Sequence, residues 1–292
     1  MYSKQGLNAR QDEHPVLITE APLNPRRNRE QMAEVFFEGF RSPAMFVAPP
    51  SVLSLYASGR TTGVVLDVGD TVTHAVPVYE GFALPHSVVR SDVAGRDVTR
   101  NLQLQLRRAG LCFSTTAESD LAKSMKEELC FLAGAPASSM ASAAEEKLDR
   151  DSKTQYQLPD GQVVTLASER HAAPSVLFDP SLIGSEDPGA ADVVVASVLK
   201  SDLELRPKLF SQVVLAGGST LTPGFGDRLL HEVRARCPAG TRIRISAPAD
   251  RVNSCFVGGS ILASLATFRN MWVSRAEYEE RGSSAILHRR EL

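Results

Sequence analysis

The stretch TGVVLDVGDTVTH, residues 62–74, sets three apolar residues, Val64, Val65 and Leu66, directly before Asp67, Gly69 and Asp70. A short apolar run that ends in glycine and carboxylates reads as a buried strand passing into a polar turn. Val72 and residues 75–78 resume a strand pattern, so the unit is predicted to be a β-hairpin with an acidic, glycine-containing tip. Such a tip can turn backbone N–H groups toward a phosphate while a carboxylate holds a hydrated Mg²⁺. The same pattern closes hairpins that bind nothing, so the residues alone leave both readings open.

Working outward, residues 213–215 form a second apolar strand that runs into Ala216, Gly217, Gly218, Ser219 and Thr220, about 150 residues after the first turn. Two strand-to-glycine turns, each followed by helices, predict an α/β chain of two similar lobes that clasp a ligand between them. Before the hairpin, residues 15–21 and 44–48 read as strands joined by a helix over 29–40 capped by Asn28, a βαβ unit with parallel pairing. A small helix follows at 52–57. After the hairpin come a short strand at 81–84, a helix at 94–106 entered through Gly95, and a helix at 117–132 with Lys126, Glu127 and Glu128 on its polar side. Residues 133–153, rich in Ala and Ser, read as an exposed excursion. A hairpin is expected at 156–166 around Pro159, Asp160 and Gly161, helices at 190–200 and 226–236, a charged strand at 242–246, and a helix at 258–268 entered by a glycine pair.

A chain of 292 residues exceeds what one core usually supports, and 43% apolar with 23% charged residues is the balance of a globular protein. Net charge is −2 with Lys and Arg spread along the chain, which argues against nucleic acid or an acidic membrane as main partner. Cys112, Cys130, Cys237 and Cys255 never form a CxxC pair, so reduced thiols are expected rather than a disulfide frame or zinc site. No stretch resembles a signal peptide or reaches membrane-spanning length, and a cytoplasmic location is the expectation.

At this point longer motifs become specific. EHPVLITEAPLNP (13–25), SLYASGRTTGVVLD (54–67), AGRDVT (94–99), YQLPDGQ (156–162), LAGGST (215–220) and GGSILASL (258–265) together resemble the actin family. GVVLD (63–67), THAVP (73–77), YEGFA (79–83), GFGDRLL (224–230) and RISAP (244–248) are most similar to its centractin branch, the filament-forming actin-related part of dynactin. The resemblance implies a two-lobed fold of the actin, heat-shock ATPase and sugar kinase type, with ATP or ADP and Mg²⁺ in the cleft. It implies that Asp67 faces the metal through water and that Gly69, Asp70, Thr71 and Val72 offer backbone to the phosphates. His74 would then sit near the attacking water, and Gly95, Lys126 and Glu127 on the ribose and adenine side, while Gly217, Gly218 and Ser219 close over the adenosine. Tyr56, Gly59, Thr61, Leu262, Leu265 and Met271 match a groove that meets binding partners. Residues 1–57 with 254–292 would form what remains of the outer subdomain of the larger lobe, 58–93 with 186–253 its inner subdomain, and 94–185 the smaller lobe. Actin-related or dynactin subunits and actin-binding proteins are the implied partners, and the cytoplasmic cytoskeleton the implied place.

Departures from the family pattern also carry expectations. The family's first phosphate loop and its lysine would lie ahead of Met1, so the resemblance implies a chain lacking the N-terminal quarter and a weakened hold on ATP. Pro50 stands where the family has a water-positioning glutamine, and proline has neither an amide side chain nor an N–H. Val68 and Thr71 alter the phosphate turn, Thr222 and Val252 replace the aromatic and the lysine that flank adenine, and Asn253 and Phe256 replace a tyrosine and a tryptophan. The loop at 179–190, which plugs between filament strands in the family, carries Glu186, Asp187 and Pro188. Three functions are thus in view: a centractin-like filament subunit without efficient ATPase, an ATP-hydrolysing actin-like protein, and a degenerate binding module without nucleotide.

Overall fold

The computed structural model describes residues 8, 10–113, 115–134 and 153–288, so most of the expected excursion at 133–153 lies outside the described residues. The opening βαβ unit is present. Strand β1 (Val16–Thr19) and strand β2 (Ala44–Ala48) pair in parallel with Leu17 opposite Phe46, and helix α1 (Arg26–Glu34) connects them. Asn28 does not cap that helix. Pro25 holds the N-cap position, and the Asn28 side-chain amide donates to Asn24 Oδ1 at 2.9 Å. The predicted helix over 29–40 is completed by a π-helical turn at Val35–Gly39, where Phe37 turns inward to stack on Tyr278 at 4.6 Å between ring centres.

Helix α2 (Pro50–Ala57) opens on proline, which loses no helical hydrogen bond at the first position. Strands β3 (Gly63–Val68) and β4 (Thr73–Tyr79) then form the predicted hairpin, in a register that puts Asp67 opposite His74. The strand runs past Asp67, so the turn proper is residues 69–72, closed by the Gly69 N–H donating to the Val72 carbonyl at 3.1 Å. Strands β5 (Phe82–Ala83) and β6 (Val89–Ser91) both pair with β4.

Helix α3 (Gly95–Arg108) starts on its glycine as expected, and helix α4 (Thr116–Leu129) follows. Thr115 caps α4 by accepting from the Glu118 N–H at 3.3 Å, while Glu118 accepts from the Thr115 N–H at 2.8 Å. Thr115→Ala removes one half of this box and is expected to cost about 1 kcal/mol in denaturant unfolding. A loss above roughly 2 kcal/mol would mean that more than the first turn of α4 depends on the cap.

Strands β7 (Thr154–Gln157) and β8 (Val163–Leu166) make the second hairpin. Helix α5 (Ala190–Lys200), strand β9 (Val213–Ala216), helix α6 (Phe225–Arg236), strand β10 (Ile245–Ser246), helix α7 (Ser254–Ser264), strand β11 (Val273–Ser274) and helix α8 (Arg275–Arg281) complete the longer elements. Two expectations are corrected here. The charged run 242–246 contributes only its last two residues to the sheet. The glycine pair at 258 and 259 lies inside α7 rather than opening it, because a Cβ on Gly258 would overlap the Leu53 carbonyl oxygen of α2.

Among the described residues the strands form three sheets: β1-β2-β11, a central sheet β10-β9-β3-β4-β5 with β6 added to β4, and the β7–β8 hairpin. Side chains alternate across the central sheet. Val64, Leu66, Val68, Val213 and Leu215 pack with α5 and α6, whereas Val65, Val76, Val214 and Ala216 pack with α2 and α7. Both faces are therefore covered, which is why β3 and β9 read as unbroken apolar runs. A separate core joins Leu102 and Leu106 of α3, Met125 of α4, and Val164 and Leu166 of β8. No described helix is long and apolar enough to cross a membrane.

Candidate functional site

The turn at 69–72 is the point where distant parts of the chain meet. The Gly69 carbonyl accepts from the Gly95 N–H at 3.0 Å and from Ser219 Oγ at 2.7 Å, and the Arg96 N–H donates to the Asp70 carbonyl at 2.7 Å. Lys126 Nζ of α4 donates to the Gly95 carbonyl at 3.0 Å. The hairpin tip, the start of α3, the turn after β9 and α4 are thus tied to one another by hydrogen bonds.

Two glycines make this approach possible. A Cβ on Gly95 would overlap Ser219 Oγ, and Gly217, at φ +86°, lies against Asp67 Oδ1 and the Val68 carbonyl. Gly218 is different: a Cβ there would meet open space. That space is a cavity of about 390 Å³ lined by Gly69, Asp70, Gly95, Lys126, Gly218 and Ser219 together with the apolar Leu177, Leu221 and Val252. Its size is that of a small-molecule site, typically about 300–1,000 Å³.

Beside the cavity, Asp67 and His74 face each other across the hairpin, Oδ2 to Nε2 at 3.7 Å. Both belong to the sheet face that packs on α2 and α7. His74 is 7% exposed, and its Nε2 has no hydrogen-bond partner among the described residues. Burial pushes the Asp67 carboxyl above the usual carboxylate range and pushes the His74 imidazole down. The charge of each group opposes the other's shift, and Arg90 on β6 lowers His74 further. Burial also lowers the Lys126 ammonium, against the attraction of Glu127 and Asp70.

Of the sequence-predicted residues, Gly69, Asp70, Gly95, Lys126, Glu127, Gly218 and Ser219 line the cavity, while Asp67, Thr71, Val72, His74 and Gly217 are not part of its lining. Val98, Lys123, Leu177 and Leu221 line it without having been singled out. Lys123 lay within reach of sequence reasoning, since it sits one helical turn before Lys126 and Glu127 on the same α4. Leu177 carries no local signal. The six groove residues separate by burial: Leu262 is in the core between α2 and α7, Tyr56 and Met271 pack partly against that core, and Gly59, Thr61 and Leu265 are exposed.

A nucleoside polyphosphate with a hydrated divalent cation fits these residues. A buried imidazole nitrogen without a hydrogen bond and a desolvated carboxylate stand beside a glycine-walled cavity. No three His, Cys, Asp or Glu among the described residues gather into a metal cage. Mg²⁺ needs none, since it takes one or two carboxylates together with water and phosphate oxygens.

A family model described as Actin matches residues 1–291. An actin-like protein of Neurospora crassa is 51% identical over 276 residues, which is 94% of this chain and 73% of that protein.

Proposed function

The chain belongs to the actin family, and on that footing we propose that it is a cytoskeletal subunit of the centractin kind, one that assembles with actin-related or dynactin subunits in dynein-based transport and holds ATP or ADP with Mg²⁺ weakly. Family members generally bind ATP or ADP with Mg²⁺. What carries the nucleotide reading is the Gly69 carbonyl, which draws Gly95 and Ser219 together although Ser219 lies 150 residues away in sequence. Such a junction at a strand end leaves an open space beside Gly218 where a ligand backbone approaches closely.

The N–H groups of Asp70, Thr71 and Val72 are offered to the phosphates, the Gly69 N–H being held by the Val72 carbonyl, while Asp67 addresses the metal shell and Lys126 and Glu127 stand on the ribose and adenine side. In this reading the cleft lies between a smaller lobe of residues 94–185 and a larger one made from the rest. Affinity is modest because Thr222 and Val252, which line the cavity, stand where the resemblance places an aromatic and a lysine beside adenine. Turnover is inefficient because Pro50, at the first position of α2, has no side-chain amide with which to orient water.

Titration of a fluorescent ATP analogue tests this. Saturable binding is expected with Mg²⁺ at a Kd on the order of 10–100 µM, lost in EDTA and weakened about tenfold by Gly218→Val. Phosphate release should stay at background. Binding indifferent to both EDTA and Gly218→Val would remove the reading.

A further inference from the structure

Arg251 lies outside the cavity lining, in the turn that leads into α7, yet its guanidinium holds part of the cavity's wall in place. Its Nε donates to Thr220 Oγ1 at 2.9 Å, and its Nη2 donates to the Thr220 carbonyl at 2.8 Å. The remaining nitrogen, Nη1, donates to the Pro248 carbonyl at 2.8 Å, which closes the turn from which the side chain extends. The Arg251 carbonyl in turn accepts from Ser254 Oγ at 3.0 Å, in the first turn of α7. The clamp is therefore itself anchored.

Thr220 is fully buried, and its neighbours Gly218, Ser219, Leu221 and Thr222 all line the cavity. While its hydroxyl accepts from Arg251, it donates to the Gly217 carbonyl at 2.7 Å. One hydroxyl thus links Arg251 to the glycine that lies against Asp67. Val252, the residue after Arg251, lines the cavity as well, so the guanidinium ties together two chain segments that both contribute to it.

A turn that begins on two glycines has backbone freedom, and a ligand that must first order it binds more weakly. Given the nucleotide reading above, on which this rests, we propose that Arg251 is a positioning residue for the nucleotide. It orders the 217–222 turn in the empty protein, so that Gly218 and Ser219 already stand where the ligand meets them. The planar fork of arginine suits this task, since it reaches a side-chain oxygen and a backbone carbonyl of one residue together; the point charge of lysine does not.

A second guanidinium in the molecule separates this role from plain support of the fold. Arg206 is half-buried like Arg251 and donates to two carbonyls, Nε to Ser201 at 3.0 Å and Nη2 to Leu199 at 2.6 Å. Neither Arg206 nor either acceptor lines the cavity.

The test is titration of a fluorescent ATP analogue with Mg²⁺ into the full 292-residue chain, beside urea unfolding of each variant. Arg251→Met keeps the aliphatic stem and removes the fork. It is expected to raise Kd by about tenfold, the turn then being competent roughly a tenth of the time. Arg206→Met should lower the urea midpoint too, yet leave Kd within about twofold of the parent. Arg251→Lys keeps the charge without the fork and should bind within about threefold of the methionine variant; it is read in that variant's place should the methionine chain not fold.

An Arg206→Met chain that loses as much affinity as Arg251→Met overturns the inference, since both clamps would then act through stability alone. So does an Arg251→Met chain within about twofold of the parent, or an Arg251→Lys chain that binds like the parent, which would make charge and not geometry the cause. These outcomes leave nucleotide binding intact. Failure of the parent to bind the analogue brings down the nucleotide reading and this inference together.

Discussion

Gly258→Ala should destabilise the chain by about 3 kcal/mol or more, even though alanine is the better helix former by about 1 kcal/mol. The glycine lies in the interior of α7, where its added Cβ would overlap the carbonyl carbon and oxygen of Leu53 in α2. A flexible side chain could swing away from such an intrusion; a helix backbone cannot. The two helices must separate, and with them the contact between the Ser54 and Ser254 hydroxyls, 3.0 Å apart and buried. That seam backs the candidate site. Cys255, the residue after Ser254, has its thiol pushed up to about 11 by burial, with the Asp67 carboxylate adding to the rise. Displacing α7 therefore disturbs the field around Asp67 as well as the core.

Gly226→Ala is the matched control. It sits in α6, where the nearest atom to an added Cβ is Leu215 Cδ1 at 4.0 Å, so helix propensity alone should act and raise stability by up to about 1 kcal/mol. Opposite signs for two Gly→Ala changes in two helices, read by urea unfolding, are the expected outcome. Equal effects would mean that α2 and α7 do not touch at Gly258.

Why some of this was legible in the sequence, and some not, follows from what each residue does. The hairpin at 62–74 and the strand at 213–215 were readable because strands buried on both faces leave solid apolar runs, and because the turns that end them need glycine. Once the turn is fixed at 69–72, the pairing of Asp67 with His74 is a matter of counting. Gly258 misled because glycine in a sequence signals either a helix boundary or a close backbone contact, and only the position of Leu53, 205 residues earlier in the chain, decides which. Asn28 misled in the same way: an asparagine before a helix is a good cap, yet Pro25 starts α1 three residues sooner and leaves the Asn28 amide to pair with Asn24. Leu177 reaches the cavity through tertiary packing, which no pattern in its neighbours encodes.

Asp67→Asn is expected to move stability and ligand affinity in opposite directions. The carboxylate of Asp67 is desolvated at the end of β3, and the attraction of His74 does not offset that burial. A carboxyl raised by burial gives stability that is present below its unfolded value of 3.8 and lost as pH rises through its folded value. At pH 7, far above the unfolded value, the buried carboxyl therefore weakens the ligand-free fold, and an uncharged amide of the same shape should strengthen it by about 1 kcal/mol. At pH 3.5, just below the unfolded value of 3.8, much of this difference is gone and the two chains should unfold more nearly alike. His74 has the reverse dependence: its lowered value gives stability that is present above 6.5 and lost as pH falls.

In the presence of nucleotide the order turns over. The amide offers metal-bound water one neutral acceptor oxygen in place of two charged ones, so Mg²⁺-dependent affinity should fall by about 100-fold. A group kept where it destabilises the empty protein is what a binding role requires, since a turn selected for folding alone would favour the amide. Thermal unfolding of both chains at pH 3.5 and 7, with and without Mg²⁺-ATP, reads all of these terms in one experiment. A ligand-free Asp67→Asn chain that melts lower than its parent at pH 7, or one that keeps the full Mg²⁺-ATP shift, would show that Asp67 is a structural carboxylate and that the metal shell lies elsewhere.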